Sequence, residues 1–106
     1  MVKYHKAIRD KIPQIIRQSG NSYNIKRLSN AKFLVELEKK LDEELEEYQK
    51  SKNPEELADI IEVIIAIAKL RGTSQKKLEQ IRLKKLKARG GFTKNLFLIS
   101  TRDNSR

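Results

Sequence analysis

The chain has no cysteine, no tryptophan and one histidine in 106 residues. Without cysteine, neither a disulfide framework nor a thiolate metal site can form. His5 stands in a basic stretch with no Glu-x-x-His partner, which argues against a ferritin-like di-iron site. No Gly-x-x-x-x-Gly-Lys-Ser/Thr loop occurs, so P-loop nucleotide chemistry is excluded. The longest apolar stretch, residues 63–68, falls far short of the roughly 20 residues that cross a bilayer, and no membrane association is expected. No apolar segment follows the charges of Lys3 and Lys6, so a signal peptide is not expected and the cytoplasm is the expected compartment. Apolar material is scarce too, at 38% of residues with three Tyr and three Phe. One chain of this size and composition builds a thin core, and association with further copies is the expected remedy.

What the chain has in excess is charge, unevenly placed. Residues 1–32 hold eight Lys/Arg against one acid, residues 33–72 six against eleven, and residues 73–106 ten against two. An acidic centre flanked by basic ends suits a cation held by carboxylates, with basic side chains around an anionic ligand. It equally suits a non-enzymatic basic module that binds nucleic acid through its ends. The Lys-rich stretch 76–89 lacks interleaved aromatics and any nucleic-acid motif, which makes a solvated face the better reading of it.

Hydrophobic spacing and turn residues predict an all-α fold of about four helices, assembling into a dimeric or larger bundle. Residues 1–99 read as one domain and 100–106 as a disordered tail. A short helix follows Asp10 as its N-cap, with Pro13 in its first turn and Gly20 as its stop. A second runs from Ser29 or Asn30 to about Lys50, with Leu34, Leu37, Leu41, Leu45 and Tyr48 on one stripe. Asn53-Pro54 opens a third that ends at Gly72, with Glu56 where a capping box places an acid. Apolar residues cover nearly every side of 60–70, the pattern of a helix surrounded by partners. Thr73 or Ser74 caps a fourth helix to about Ala88. Leu96-Phe97-Leu98-Ile99 then form a short strand or a docking segment.

The chemistry gathers on the second and third helices. Glu44 and Glu47 are three apart, as are Glu56 and Asp59, so each pair shares a helix face. Taking about 100° per residue, Glu44 lies about 60° and Glu47 about 120° from the apolar stripe, on the same side. Glu43 and Glu46 point about 140–160° away and are expected in solvent. Asp59 and Glu62 sit among Ile60, Ile61, Val63, Ile64 and Ile65, where a carboxylate needs a neutralising partner. A salt bridge to Arg9, Lys11 or Arg89 is the purely structural answer. Two adjacent helices each presenting acids at three-residue spacing favour a divalent cation with oxygen ligands. Mg²⁺ keeps waters and meets substrate phosphates, which points towards phosphate chemistry.

Residues 40–48 and 55–63 resemble the ExxE…ExxD motif of the all-α nucleoside triphosphate pyrophosphohydrolases, the MazG-like and phosphoribosyl-ATP pyrophosphohydrolase-like group. Ile8-Arg9-Asp10-Lys11-Ile12-Pro13 resembles an RDKIP element that opens one branch of that group, and Arg89-Gly90-Gly91-Phe92 an RGGF element near its end. Together they cover residues 6–98 in the expected order. The resemblance implies a helical dimer or tetramer, with Mg²⁺ (or Mn²⁺) on Glu44, Glu47, Glu56 and Asp59. It implies hydrolysis of a nucleotide substrate, a nucleoside triphosphate or a relative such as phosphoribosyl-ATP, to the monophosphate and pyrophosphate. Glu44 and Glu62 are then the candidate catalytic carboxylates; Glu62 is either a further ligand or the group that orients the attacking water. Arg9, Lys11, Arg89 and Lys94 are the candidate phosphate-binding cations. The gap from Glu47 to Glu56 is shorter than in many members and demands a tight turn.

Overall fold

The computed structural model describes residues 2–103. It forms four helices, α1 (Ile12–Gln18), α2 (Asn30–Ser51), α3 (Pro54–Leu70) and α4 (Gln75–Arg89), and the described residues contain no strand. The fold class is therefore all-α, as the spacing predicts. Residues 104–106 of the expected tail lie outside the described residues, and 100–103 carry no regular secondary structure. No helix among the described residues is long and apolar enough to cross a membrane.

Three of the four helix starts follow capping chemistry. Ser29 Oγ accepts from the Lys32 amide at 3.3 Å, Asn53 Oδ1 from Glu55 at 3.0 Å and Ser74 Oγ from Lys77 at 3.1 Å. Each supplies an acceptor to an amide that has none within its own first turn. The start of α1 differs from expectation. Lys11, not Asp10, occupies the cap position, with no side-chain cap bond. The Ile12 amide instead bonds the Arg9 carbonyl at 3.1 Å, so a backbone turn does the work assigned to Asp10.

The connection from α2 to α3 is as tight as the spacing demands: only Lys52 and Asn53 lie between the helices. Lys52 adopts the left-handed conformation, φ 56° and ψ 23°, which reverses the chain in one step. The result is an antiparallel α2/α3 hairpin. Arg71, just past α3, grips Glu38 near the start of α2 at 3.2 Å, closing its open end. Gly72, at φ +91°, lets the chain leave α3 in a conformation that a side chain would oppose.

The hairpin is the body of the fold, and its core is thin. Ala7, Leu37 and Val63 are the buried hydrophobic residues. Ala7 shows that the segment before α1 also packs on the body, while Ile12 and Ile16 of α1 are half-buried and Ile15 is exposed. Among the helices α4 packs on α3, and its Ile81, Leu83 and Leu86 stay exposed. The radius of gyration, 19.0 Å, exceeds the roughly 13 Å of a compact domain of this length.

α2 and α4 pack on α3 and leave its Leu57, Ile61 and Ile64 exposed, so a single chain does not cover the Ile-rich segment. One expectation about packing needs correction. Residues 96–99 do not form a strand. A strand needs a neighbouring edge for its backbone hydrogen bonds, and none exists among the described residues.

Candidate metal centre

Antiparallel pairing brings the middle of α2 against the first half of α3. Glu44 lies one turn beyond Lys40 on α2; Glu56 and Asp59 lie one turn apart on α3. One carboxylate oxygen from each of Glu44, Glu56 and Asp59 falls within 4.8 Å of the others. Residues 15 positions apart along the chain therefore converge because a two-residue turn sets the register of the hairpin.

Glu44 is the deepest of the three. Only 7% of it is exposed, and it is the buried charged residue of the fold. Its Oε1 meets Lys40 Nζ at 3.4 Å, while its Oε2 is buried with no hydrogen-bond partner. A buried carboxylate oxygen without a partner is costly. Lys40 was not singled out from the sequence. Its signal was the i,i+4 spacing to Glu44, which puts both side chains on one face.

Asp59 is half-buried, and Arg9 Nη2 donates to its Oδ1 at 2.7 Å. The structural answer foreseen for Asp59 is thus present, with Arg9 of the RDKIP-like element as the partner. Glu56 is half-buried beside Glu47. Its carboxyl is held above the ordinary value of 4.5, first by loss of solvent, then by the charge of Glu47 and a hydrogen bond with it, then by Glu44 and Asp59. All four acids of the motif therefore act on one point, although Glu47 is exposed and stands outside the closest three.

The helical phase predicted from the stripe holds for Glu44 and for Glu46, whose side chain is 67% exposed. It fails in part for Glu43, which is half-buried rather than solvated. Glu47 is exposed, yet it reaches Glu56 and hydrogen-bonds it, as its side of the helix predicts. The stripe describes an isolated helix and leaves out where α3 lies around it. Glu62 is exposed and outside the closest group.

The cations divide. Arg9 is at the acids, and Lys11 is exposed at the start of α1. Arg89 ends α4 and Lys94 lies beyond it; both are exposed, and neither pairs with any of the four acids.

An all-oxygen, all-carboxylate donor set suits a hard divalent cation, and the unpartnered Glu44 Oε2 is a ready ligand atom for one. Lys40 and Arg9 supply two positive charges against the four of Glu44, Glu47, Glu56 and Asp59. A cation of charge +2 would balance the remainder. Compared with protein-family models, with curated proteins and with solved structures, the chain matches none.

Proposed function

We propose that the chain is a Mg²⁺-dependent nucleotide pyrophosphohydrolase of the MazG-like kind. It would cleave a nucleoside triphosphate, or a relative such as phosphoribosyl-ATP, to the monophosphate and pyrophosphate. It would work in the cytoplasm as a homo-oligomer. The observation that carries this reading is the buried, unpartnered Glu44 oxygen among Glu56 and Asp59, at the motif positions.

Glu44, Glu56 and Asp59, with Glu47 beside them, would hold the ion. When bound, it would supply neutralisation of phosphate charge and a template for the anhydride. The chain's own groups have separate tasks. Arg9, already 2.7 Å from Asp59, would exchange that carboxylate for an outer phosphate oxygen as a charge-assisted donor. Glu62 stands one turn beyond Asp59 on α3, hence on its side of the helix. It would accept a hydrogen bond, and then a proton, from the attacking water. The water oxygen bonds the α-phosphorus, the α–β bridging bond breaks, and pyrophosphate leaves. The test is a nucleotide panel with and without Mg²⁺, with pyrophosphate release as the readout. Metal-dependent release that is lost in Glu44→Gln supports the reading; no release from any nucleotide overturns it.

A second reading rests on α4. Its helix is exposed along most of its length, with Glu79 as its one acid, and Glu79 is engaged by Arg82. A basic rod of this kind could lie along nucleic-acid phosphates. Tight binding to RNA or DNA that falls steeply with salt, without turnover, would support it.

A further inference from the structure

Phe92, Leu96, Phe97, Leu98 and Ile99 are between 78% and 99% exposed. On the body, a groove between α3 and α4 is lined by Ile61, Ile64, Ile65 and Leu78, with Gln75, Glu79 and Arg82 at its α4 side and Ile61 58% exposed. One chain holds both surfaces and leaves both open. We infer that residues 92–99 of one copy seat in the α3/α4 groove of a second copy, reciprocally, in a two-fold pair.

Two arguments favour a second copy over the segment folding back on its own groove. The first is the pattern of 96–99. Four consecutive apolar residues in extended backbone carry apolar side chains on both faces. A single groove covers one face, whereas in a reciprocal pair each segment lies between two bodies. The second is area. Five large apolar side chains amount to roughly 700 Å² of surface per chain, close to the ~800 Å² that each partner buries in a stable interface. Gly90, at φ +80°, gives the chain its change of direction after α4. The inference goes beyond the catalytic reading and does not depend on it.

The experiment uses the full chain. Sedimentation at micromolar concentration is expected to give a dimer or a multiple of it. Phe97→Asp, at a side chain 87% exposed in the single chain, is expected to keep the helical circular dichroism while weakening association by about 100-fold or more. Because the chain lacks cysteine, engineered thiols report cleanly. Mixing Phe97→Cys chains with Ile61→Cys chains under mild oxidation is expected to give a disulfide between the two chains. A monomeric unsubstituted chain overturns the inference, as does a dimer indifferent to Phe97→Asp. So does a double-cysteine chain that closes its disulfide within a monomer, which would place the segment on its own groove.

Discussion

Replacing Glu44 by its isosteric amide separates a metal ligand from a structural ion-pair partner. In Glu44→Gln the charge leaves and the shape stays. At 3.4 Å and an effective dielectric of about 20, the Lys40 attraction lost is about 5 kcal/mol. The side chains of Lys40 and Glu44 are only 15% and 9% exposed, so holding both ions away from water costs several kcal/mol each, and most of that attraction is offset. Repulsion is relieved as well. A like charge within 4.8 Å opposes Glu44 by about 3.5 kcal/mol or more before screening. For Asp59 that figure shrinks, because its side chain is 40% exposed and is paired with Arg9. These opposing contributions leave metal-free stability within about 1 kcal/mol of the parent, or a shift of at most about 4–8 °C.

The metal response is where the variant should differ. At a Mg²⁺ concentration ten times its Kd, a bound ion stabilises the native state by about 1.4 kcal/mol, so the parent should melt about 5–10 °C higher. Glu44→Gln should show no such rise. Differential scanning calorimetry of both proteins, with Mg²⁺ and with a chelator, reads all four states. A full Mg²⁺ shift in the variant would refute the assignment of Glu44. A metal-free loss above about 3 kcal/mol would show that the carboxylate is a structural anchor for Lys40.

Asp59→Asn and Glu47→Gln should abolish Mg²⁺-dependent pyrophosphate release, while Glu46→Gln, on the solvated side of α2, should leave it intact; Glu43 is half-buried and makes a poorer control. The raised Glu56 carboxyl fixes the sign of a pH effect. Just above 4.5 the native state holds a proton that the unfolded chain has released, so metal-free stability should fall as pH rises through that window and level off above the folded value. Mg²⁺ binding in the same window should expel that proton, visible as a buffer-dependent heat in titration calorimetry. Arg9→Ala should lower turnover efficiency about tenfold or more with little change in melting, whereas Lys76→Ala and Lys84→Ala on α4 should do neither. Lys52→Gly should raise the melting temperature, because the left-handed turn costs a lysine about 1–2 kcal/mol and a glycine less.

The helices were legible because their signals are local. Ser29, Asn53 and Ser74 act within one turn of themselves, and the Leu34–Tyr48 spacing reports on a single helix. The face of Glu44 was legible for the same reason: three-residue spacing fixes direction before any partner is known. Glu43 escaped because its exposure depends on where α3 lies around α2, which no single-helix wheel contains. Lys40 escaped because an i,i+4 Lys-Glu pair reads as a surface pair until the burial of Glu44 is known. The open flank of α3 was legible in kind, because an apolar run on every side of 60–70 needs more partners than one thin chain supplies; which partners cover it was not, because the run does not name them.

Arg9 and Asp59 join the segment before α1 to the acid cluster of α2 and α3. A guanidinium 2.7 Å from an acid that the motif assigns to a metal holds the place of positive charge that the cluster requires. The pair is half open to water, its side chains 53% and 40% exposed, so it is weak, worth about 0–1 kcal/mol. On the proposed reading a weak pair is the useful kind: a divalent ion would displace it at little cost, and the freed arginine would stay beside the site to meet a phosphate. A tight pair in the same place would compete with the ion. Glu44 is the opposite case, buried and held by Lys40 on one oxygen, with the other unpartnered. A site that bound a cation first and a polyphosphate second would use one carboxylate of each kind.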